Sequence, residues 1–133
     1  MQAYIRNLSA IEPGTPGPWY QLGIVLLSEY KLIGDCGFRV VENKPRQAEV
    51  GIALAPASQG HGYACEALRA LLDYLLVKLG KYRVWGSVDP RNVRSVRLME
   101  RVGMRKEAHF ERSLLFKGEW VDDVIFSMLG SDC

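Results

Sequence analysis

The chain has 133 residues, 48% of them hydrophobic and 24% charged, with a formal net charge of +2. That is enough apolar material for one domain with its own core, spanning residues 1–133. The small net charge argues against a nucleic-acid or anionic-membrane partner, and no apolar run approaches the roughly 20 residues of a membrane span.

Met1 to Ala10 holds polar residues throughout, so no secretion signal is expected. Cys36, Cys65 and Cys133 are odd in number and far apart, without metal-ligand spacing. They read as reduced thiols of a cytoplasmic protein that binds no metal, with Cys65 packed on a helix.

Met1 to Leu8 reads as the end of a helix. Glu12 to Pro18, with three prolines and two glycines, is a loop. Trp19 to Leu27 is a strand, rich in aromatic and β-branched residues. Ser28 to Lys31 turns the chain into a second strand, Leu32 to Val41. Glu42 to Arg46 is a polar turn containing Pro45, and Gln47 to Ala55 is a third strand, stopped by Pro56. The three make an antiparallel meander.

Gln59-Gly60-His61-Gly62-Tyr63-Ala64 follows. A strand, a glycine loop and then a helix aim backbone N–H groups and the positive end of a helix dipole at one point, an arrangement suited to pyrophosphate. The loop lacks the Gly-Lys-Ser/Thr ending of a nucleoside-triphosphate loop, and Gly60-His61-Gly62 is only half of a dinucleotide fingerprint. A glycine turn that merely ends a strand fits these six residues equally well.

After the loop, Ala64, Ala67, Leu68, Leu71, Leu72, Leu75, Leu76 and Leu79 recur at helical spacing, and Gly80 ends the helix. Tyr82 to Val88 is a strand with Val84 and Val88 inward. Asp89-Pro90-Arg91-Asn92 opens a second helix with Val93, Val96, Met99 and Val102 on its apolar face, stopped by Gly103. Met104 to Phe116 and Trp120 to Leu129 form a closing hairpin around Lys117-Gly118-Glu119. The fold class is mixed α/β.

Three segments in order carry a resemblance. Gln59 to Ala64 resembles the [R/Q]-x-x-G-x-[G/A] loop of the GNAT superfamily of acyl-CoA N-acyltransferases. Asn92-Val93-Arg94-Ser95, with Glu100-Arg101-Val102-Gly103-Met104, resembles the N-x-x-S…E-K-x-G-F helix of its RimJ/RimL-like branch (ribosomal-protein-alanine N-acetyltransferase-like). Glu107 to Leu129, with Arg112, Gly118, Trp120 and Asp122, resembles that branch's last hairpin. The likeness covers about Trp19 to Leu129.

It implies a mostly antiparallel sheet with a central V-shaped splay, and an N-acetyltransferase that moves the acetyl group of acetyl-CoA to a primary amine. Acetyl-CoA would lie between the strand ending Glu49 to Ala55 and that of Tyr82 to Val88. Ile52, Ala53 and Leu54 would pair with the pantetheine arm as an added strand does. Gln59, Gly60, His61, Gly62, Tyr63 and Ala64 would hold the pyrophosphate, mostly through N–H groups, with the His61 side chain in solvent. Asn92 would bond a pantetheine amide, cap its helix, or do both. The acceptor is a protein N-terminus or a small amine.

Direct attack of an amine needs a base, an oxyanion donor and an acid for the thiolate. Glu49 is the base candidate, because burial beside an apolar strand favours the proton-accepting role near neutral pH. Glu111 and Glu119 are weaker candidates, and Glu49 as a plain solvent-facing glutamate is the bland reading. The oxyanion donor is a backbone N–H near Leu54. Many members of the superfamily place a tyrosine seven residues after the asparagine, where this chain has Met99. Ser95, as in the RimJ/RimL-like branch, would polarise the sulfur instead. Cys65 reads as a core residue, and His109 is given no role.

Relative to the family, the first strand and helices look truncated. That leaves two alternatives open: a CoA-binding module without catalysis, and an aminoglycoside-type drug acetyltransferase with an acidic cleft from Glu111, Glu119, Asp122 and Asp123. It also predicts a homodimer. The Trp19–Leu27 strand would be a bare edge showing Trp19, Leu22, Ile24 and Leu26, and Trp120, Val124 and Phe126 of the hairpin would offer a second apolar surface.

Overall fold

The computed structural model describes residues 3–7, 15–54 and 59–130. Seven strands form one sheet: β1 (Ala3–Asn7), β2 (Tyr20–Leu26), β3 (Lys31–Val41), β4 (Lys44–Leu54), β5 (Arg83–Val88), β6 (Arg105–Phe116) and β7 (Glu119–Leu129). Their spatial order is β1-β2-β3-β4-β5-β7-β6. Every neighbouring pair is antiparallel except β4 and β5, which run parallel. The parallel pair is joined by α1 (Tyr63–Asp73), which continues into a π-helical turn over Tyr74–Lys78, where Leu79 N–H donates to Tyr74 O at 2.9 Å. A second helix, α2 (Val93–Arg101), links β5 to the hairpin of β6 and β7.

One apolar core explains why these elements hold. Alternate residues of the strands turn inward: Leu22 and Ile24 on β2, Cys36, Phe38 and Val40 on β3, Ala48 and Val50 on β4, Val84 and Val88 on β5, Val124 and Phe126 on β7. The helical stripe Ala67, Leu68, Leu71, Leu72, Leu75 and Leu76 packs on them, joined by Met99 and Val102. Each fully buried leucine contributes about 1.5–3 kcal/mol of transfer free energy, so the stripe anchors α1 firmly below the glycine loop. Burial pushes the Cys36 thiol up to about 12, assisted by the Asp35 charge, which keeps it an inert packing group.

The structure corrects several expectations. Ala3–Asn7 is not a helix end. It is a strand that pairs antiparallel with β2, Ala3 opposite Leu26 and Asn7 opposite Leu22. Five residues carry too little pattern to announce this, and their extended state comes from the partner strand. Hence the first strand is present and β2 is no bare edge. Leu22 and Ile24 are buried, while Trp19 is exposed. Residues 8 to 19 make the whole connection from β1 to β2, and the described part, from Thr15, holds no helix.

The turn placed at Glu42–Arg46 is shorter, because β4 already begins at Lys44. Pro45 fits there because the β3–β4 ladder is irregular between Val40 and Val41, where no proline N–H is needed. Val93 faces solvent rather than the core, and Val124 and Phe126 are core residues rather than surface. Ala55 and Pro56 lie outside the described residues.

Candidate active site

The parallel seam is short. Gln47 pairs with Arg83, Ala48 with Val84 and Glu49 with Trp85, and there the β4–β5 ladder stops. Gly51 to Leu54 continue in register with β3 alone, as far as Leu54 opposite Gly34. On the other flank β5 stays paired with β7 to Val88. The two strands therefore part after Glu49, which is the expected splay. Gly86 sits where they begin to diverge. A Cβ there would lie 3.1 Å from Met99 Cε and 3.4 Å from Val50 O, so the seam closes tightly over Met99. Met99, in the place of the superfamily tyrosine, is a buried packing residue.

A cleft of about 600 Å³ opens beside the parted strands. It gathers Ile52 and Ala53 from β4, Gln59, Gly60, Gly62, Tyr63 and Ala64 from the loop and the start of α1, and Asn92 and Ser95 from α2. Gly60 and Gly62 adopt φ of 83° and 81°, which side chains rarely tolerate, and a Cβ built on either meets no atom within 4 Å. The loop is thus held in a shape that leaves bare backbone facing open space. Gly62 also caps α1, its carbonyl accepting from Glu66 N–H at 3.1 Å. The first N–H groups of the helix are left for a ligand. His61 is exposed and stacks on Tyr63, with ring centroids 5.3 Å apart.

Asn92 is the N-cap of α2: its Oδ1 accepts from Ser95 N–H at 3.3 Å. Capping uses the carbonyl oxygen and leaves the amide group as a donor. Ser95 follows one turn on and lines the same cleft.

Glu49 stands at the fork itself, as the last β4 residue paired with β5. Its carboxylate is half-buried and receives Arg39 Nε at 2.6 Å across the β3–β4 ladder. Arg39 in turn lies over the Trp19 ring, 5.9 Å from its centroid. The carboxylate is therefore oriented by a guanidinium rather than left alone against apolar neighbours, and its other oxygen remains to receive a proton.

Most carboxylates of the hairpin are engaged, Glu111 excepted. Asp122 accepts from His109 Nε2 at 2.8 Å and from Arg112 N–H at 2.9 Å, and these two bonds hold it below the usual aspartate range. Asp123 bonds the Ser87 hydroxyl. Glu119 lies 3.7 Å from Arg91 Nη1. Arg91 also clasps Asp89, which its hydrogen bonds hold below the usual range. Glu111 is exposed within the irregular stretch between Phe110 and Leu114. The hairpin presents mixed ion pairs, not an acidic wall.

The cleft has further lining residues that the sequence reading did not place there. Arg94, Arg97 and Arg101 line it from α2, and Cys65, expected as a core residue, lines it from α1 while also packing against the core. The arginines recur at spacings of three and four, the same signal that reveals an apolar face. A second cavity, of about 330 Å³ between Asn43, Gln47, Arg83 and Trp85, contains none of the expected residues. Among the described residues no group of three His, Cys, Asp or Glu could hold a metal ion, and no helix is long and apolar enough to cross a membrane.

The acetyltransferase (GNAT) domain profile matches residues 1–105. The chain belongs to the GNAT acetyltransferase family. GNAT domains use acetyl-CoA as cosubstrate. The probable N-acetyltransferase YjcK of Bacillus subtilis is 32% identical over 114 residues, covering 85% of this chain and 63% of that protein. The ribosomal protein uS5-alanine N-acetyltransferase of Escherichia coli is 29% identical over 117 residues, covering 87% of this chain and 60% of that enzyme. That match is consistent with the RimJ-like branch.

The crystal structure of a GNAT-family acetyltransferase from Bacillus anthracis superposes with a TM-score of 0.79 at 29% identity, over 84% of this chain and 66% of that one. The chain thus spans less than two thirds of the length of the curated relatives it matches.

Proposed function

We propose that residues 1–133 act as a single N-acetyltransferase domain that moves the acetyl group of acetyl-CoA to a primary amine. One observation carries this: the β4–β5 ladder opens after Glu49 beside a glycine loop whose backbone faces open space. Strands that part inside a sheet expose N–H and C=O groups, and an amide-bearing arm can pair with them as a strand would. Ile52, Ala53 and Leu54 take that arm, and Asn92 bonds one of its amides. Gln59, Gly60, His61, Gly62, Tyr63 and Ala64 take the pyrophosphate through N–H groups and the dipole of α1.

In the reaction, the amine nitrogen bonds to the acetyl carbon and the carbon–sulfur bond breaks. The proton leaving the ammonium passes to Glu49, directly or through one water. A backbone N–H near Leu54 stabilises the oxyanion, and Ser95 donates to the sulfur as thiolate charge develops. As the tetrahedral adduct collapses the nitrogen gives up its second proton, which ends on the departing thiolate, so the products are the acetylated amine and CoA as its thiol.

Thiol release tests the proposal, with acetyl-CoA and a panel holding a peptide with N-terminal alanine, a linear polyamine and an aminoglycoside. Release dependent on one amine supports catalysis. CoA binding with no release from any amine would leave a CoA-binding module. The aminoglycoside reading called for an acidic cleft; Asp122 and Asp123 are hydrogen-bonded and Glu119 faces Arg91, so release with the aminoglycoside of the panel decides that reading.

We place the protein in the cytoplasm, in keeping with the absence of a disulfide at Cys36 and Cys65. We also propose a homodimer, now through the hairpin rather than β2. β6 is an edge strand, and Phe110, Leu114, Leu115, Phe116 and Trp120 are all exposed on the hairpin. Sheet edges flanked by such surface associate unless covered. Sedimentation equilibrium at micromolar concentration should give twice the protomer mass, and a single species at 15.0 kDa would refute it.

A further inference from the structure

We propose that Arg94, Arg97 and Arg101 of α2 seat the 3′-phosphate on the ribose of CoA, so that the cleft discriminates against the dephospho form of the cosubstrate. This rests on the acyl-CoA reading above. The three arginines share one helix face, and all line the cleft that the glycine loop opens into. The described lining contains no carboxylate. Among the described residues none of the three guanidinium groups has an ion pair or a hydrogen bond, whereas Arg39, Arg83 and Arg91 are each committed to a carboxylate. Arg69 does not compete for the ligand: its Nη2 donates to Arg101 O at 3.0 Å, which ties α1 to α2 along the cleft.

The charge balance identifies the ligand group. A pyrophosphate diester is served by the N–H groups of the loop and the dipole of α1. Three full positive charges lining the same cleft exceed that need. A phosphomonoester carries close to two negative charges at neutral pH and three acceptor oxygens, which suits guanidinium forks. CoA carries one such group, on the same nucleotide as its pyrophosphate.

Isothermal titration calorimetry with CoA and 3′-dephospho-CoA tests this on the wild-type chain, on Arg97→Gln and on Arg97→Gln/Arg101→Gln, each checked for helix content by circular dichroism. The wild type should prefer CoA by about tenfold or more, the scale of one charge-assisted hydrogen bond. The preference should fall as salt rises. The double variant should bring the two affinities together by weakening CoA alone. Equal wild-type affinities would overturn the proposal while leaving the acyl-CoA reading intact. Variants that weaken both ligands alike would overturn it too, by assigning the arginines to the pyrophosphate. Failure of both ligands to bind the wild type would remove the acyl-CoA reading itself, and this proposal with it.

Discussion

Replacing Gly62 by alanine should lower the affinity for CoA by about tenfold or more and still leave a folded protein. Two facts decide this. The residue sits at φ 81°, where an added Cβ costs roughly 1–2 kcal/mol of backbone strain. That lowers the melting temperature by a few degrees but does not unfold a domain whose core lies elsewhere. No protein atom lies within 4 Å of the new Cβ, so the methyl group occupies only the space the loop keeps clear. If pyrophosphate fills that space, the methyl displaces it from the N–H groups. Gly62→Val would be a poorer test, because a β-branched residue at positive φ mixes strain with the loss of binding. Calorimetric titration of CoA into both forms reads the effect, and equal affinities would remove the loop from the binding site.

Glu49→Gln should reduce kcat by about a hundredfold with KM little changed, the usual scale for loss of a general base. The substitution also removes the negative charge that pairs with Arg39, so a control is needed. Arg39→Gln removes the same ion pair and keeps the carboxylate. The pair is part-buried at the edge of the core, so Arg39→Gln costs some stability but should fold and retain most of the activity. Were the two variants equally inactive, Glu49 would be a positioning residue and the search for the base would pass to Glu111 or Glu119. Ser95→Ala should lower kcat about tenfold while barely moving KM, because its hydroxyl matters most as charge builds on sulfur. The N-cap bond should persist in that variant, since Ser95 donates to Asn92 through its backbone N–H.

Much of this site was legible because its parts are written locally. A loop with glycines two residues apart, a helix stripe at spacings of three and four and an Asn-x-x-Ser cap each depend on neighbours in sequence, and Gly60, Gly62, Leu68, Leu71, Asn92 and Ser95 stand where local rules put them. The misreadings came from contacts made across the chain. Ala3–Asn7 is extended only because β2 lies beside it. Glu49 reads as a lone carboxylate until β3 brings Arg39 opposite it, ten positions back in the chain. Val124 and Phe126 sink into the core because β7 lies inside the sheet while β6 takes the edge, an order that sequence distance does not reveal. The arginine column of α2 was legible in principle but polar periodicity is less often read than apolar periodicity.

The brevity of the parallel seam has a consequence for how the chain closes. β1 to β4 and β5 to β7 are each knit by antiparallel neighbours, mostly near in sequence. Within the sheet their ladders join only along Gln47–Glu49 and Arg83–Trp85, with the intervening helix as the loop to be closed. Local hairpins form quickly, whereas a contact that spans a long loop must first overcome the entropy of bringing its ends together. The two halves should therefore organise first and join last, through three residue pairs that stop at Glu49. The fork at Glu49 is then the final piece of the sheet to be assembled, and under stress the first place where the sheet's two halves part.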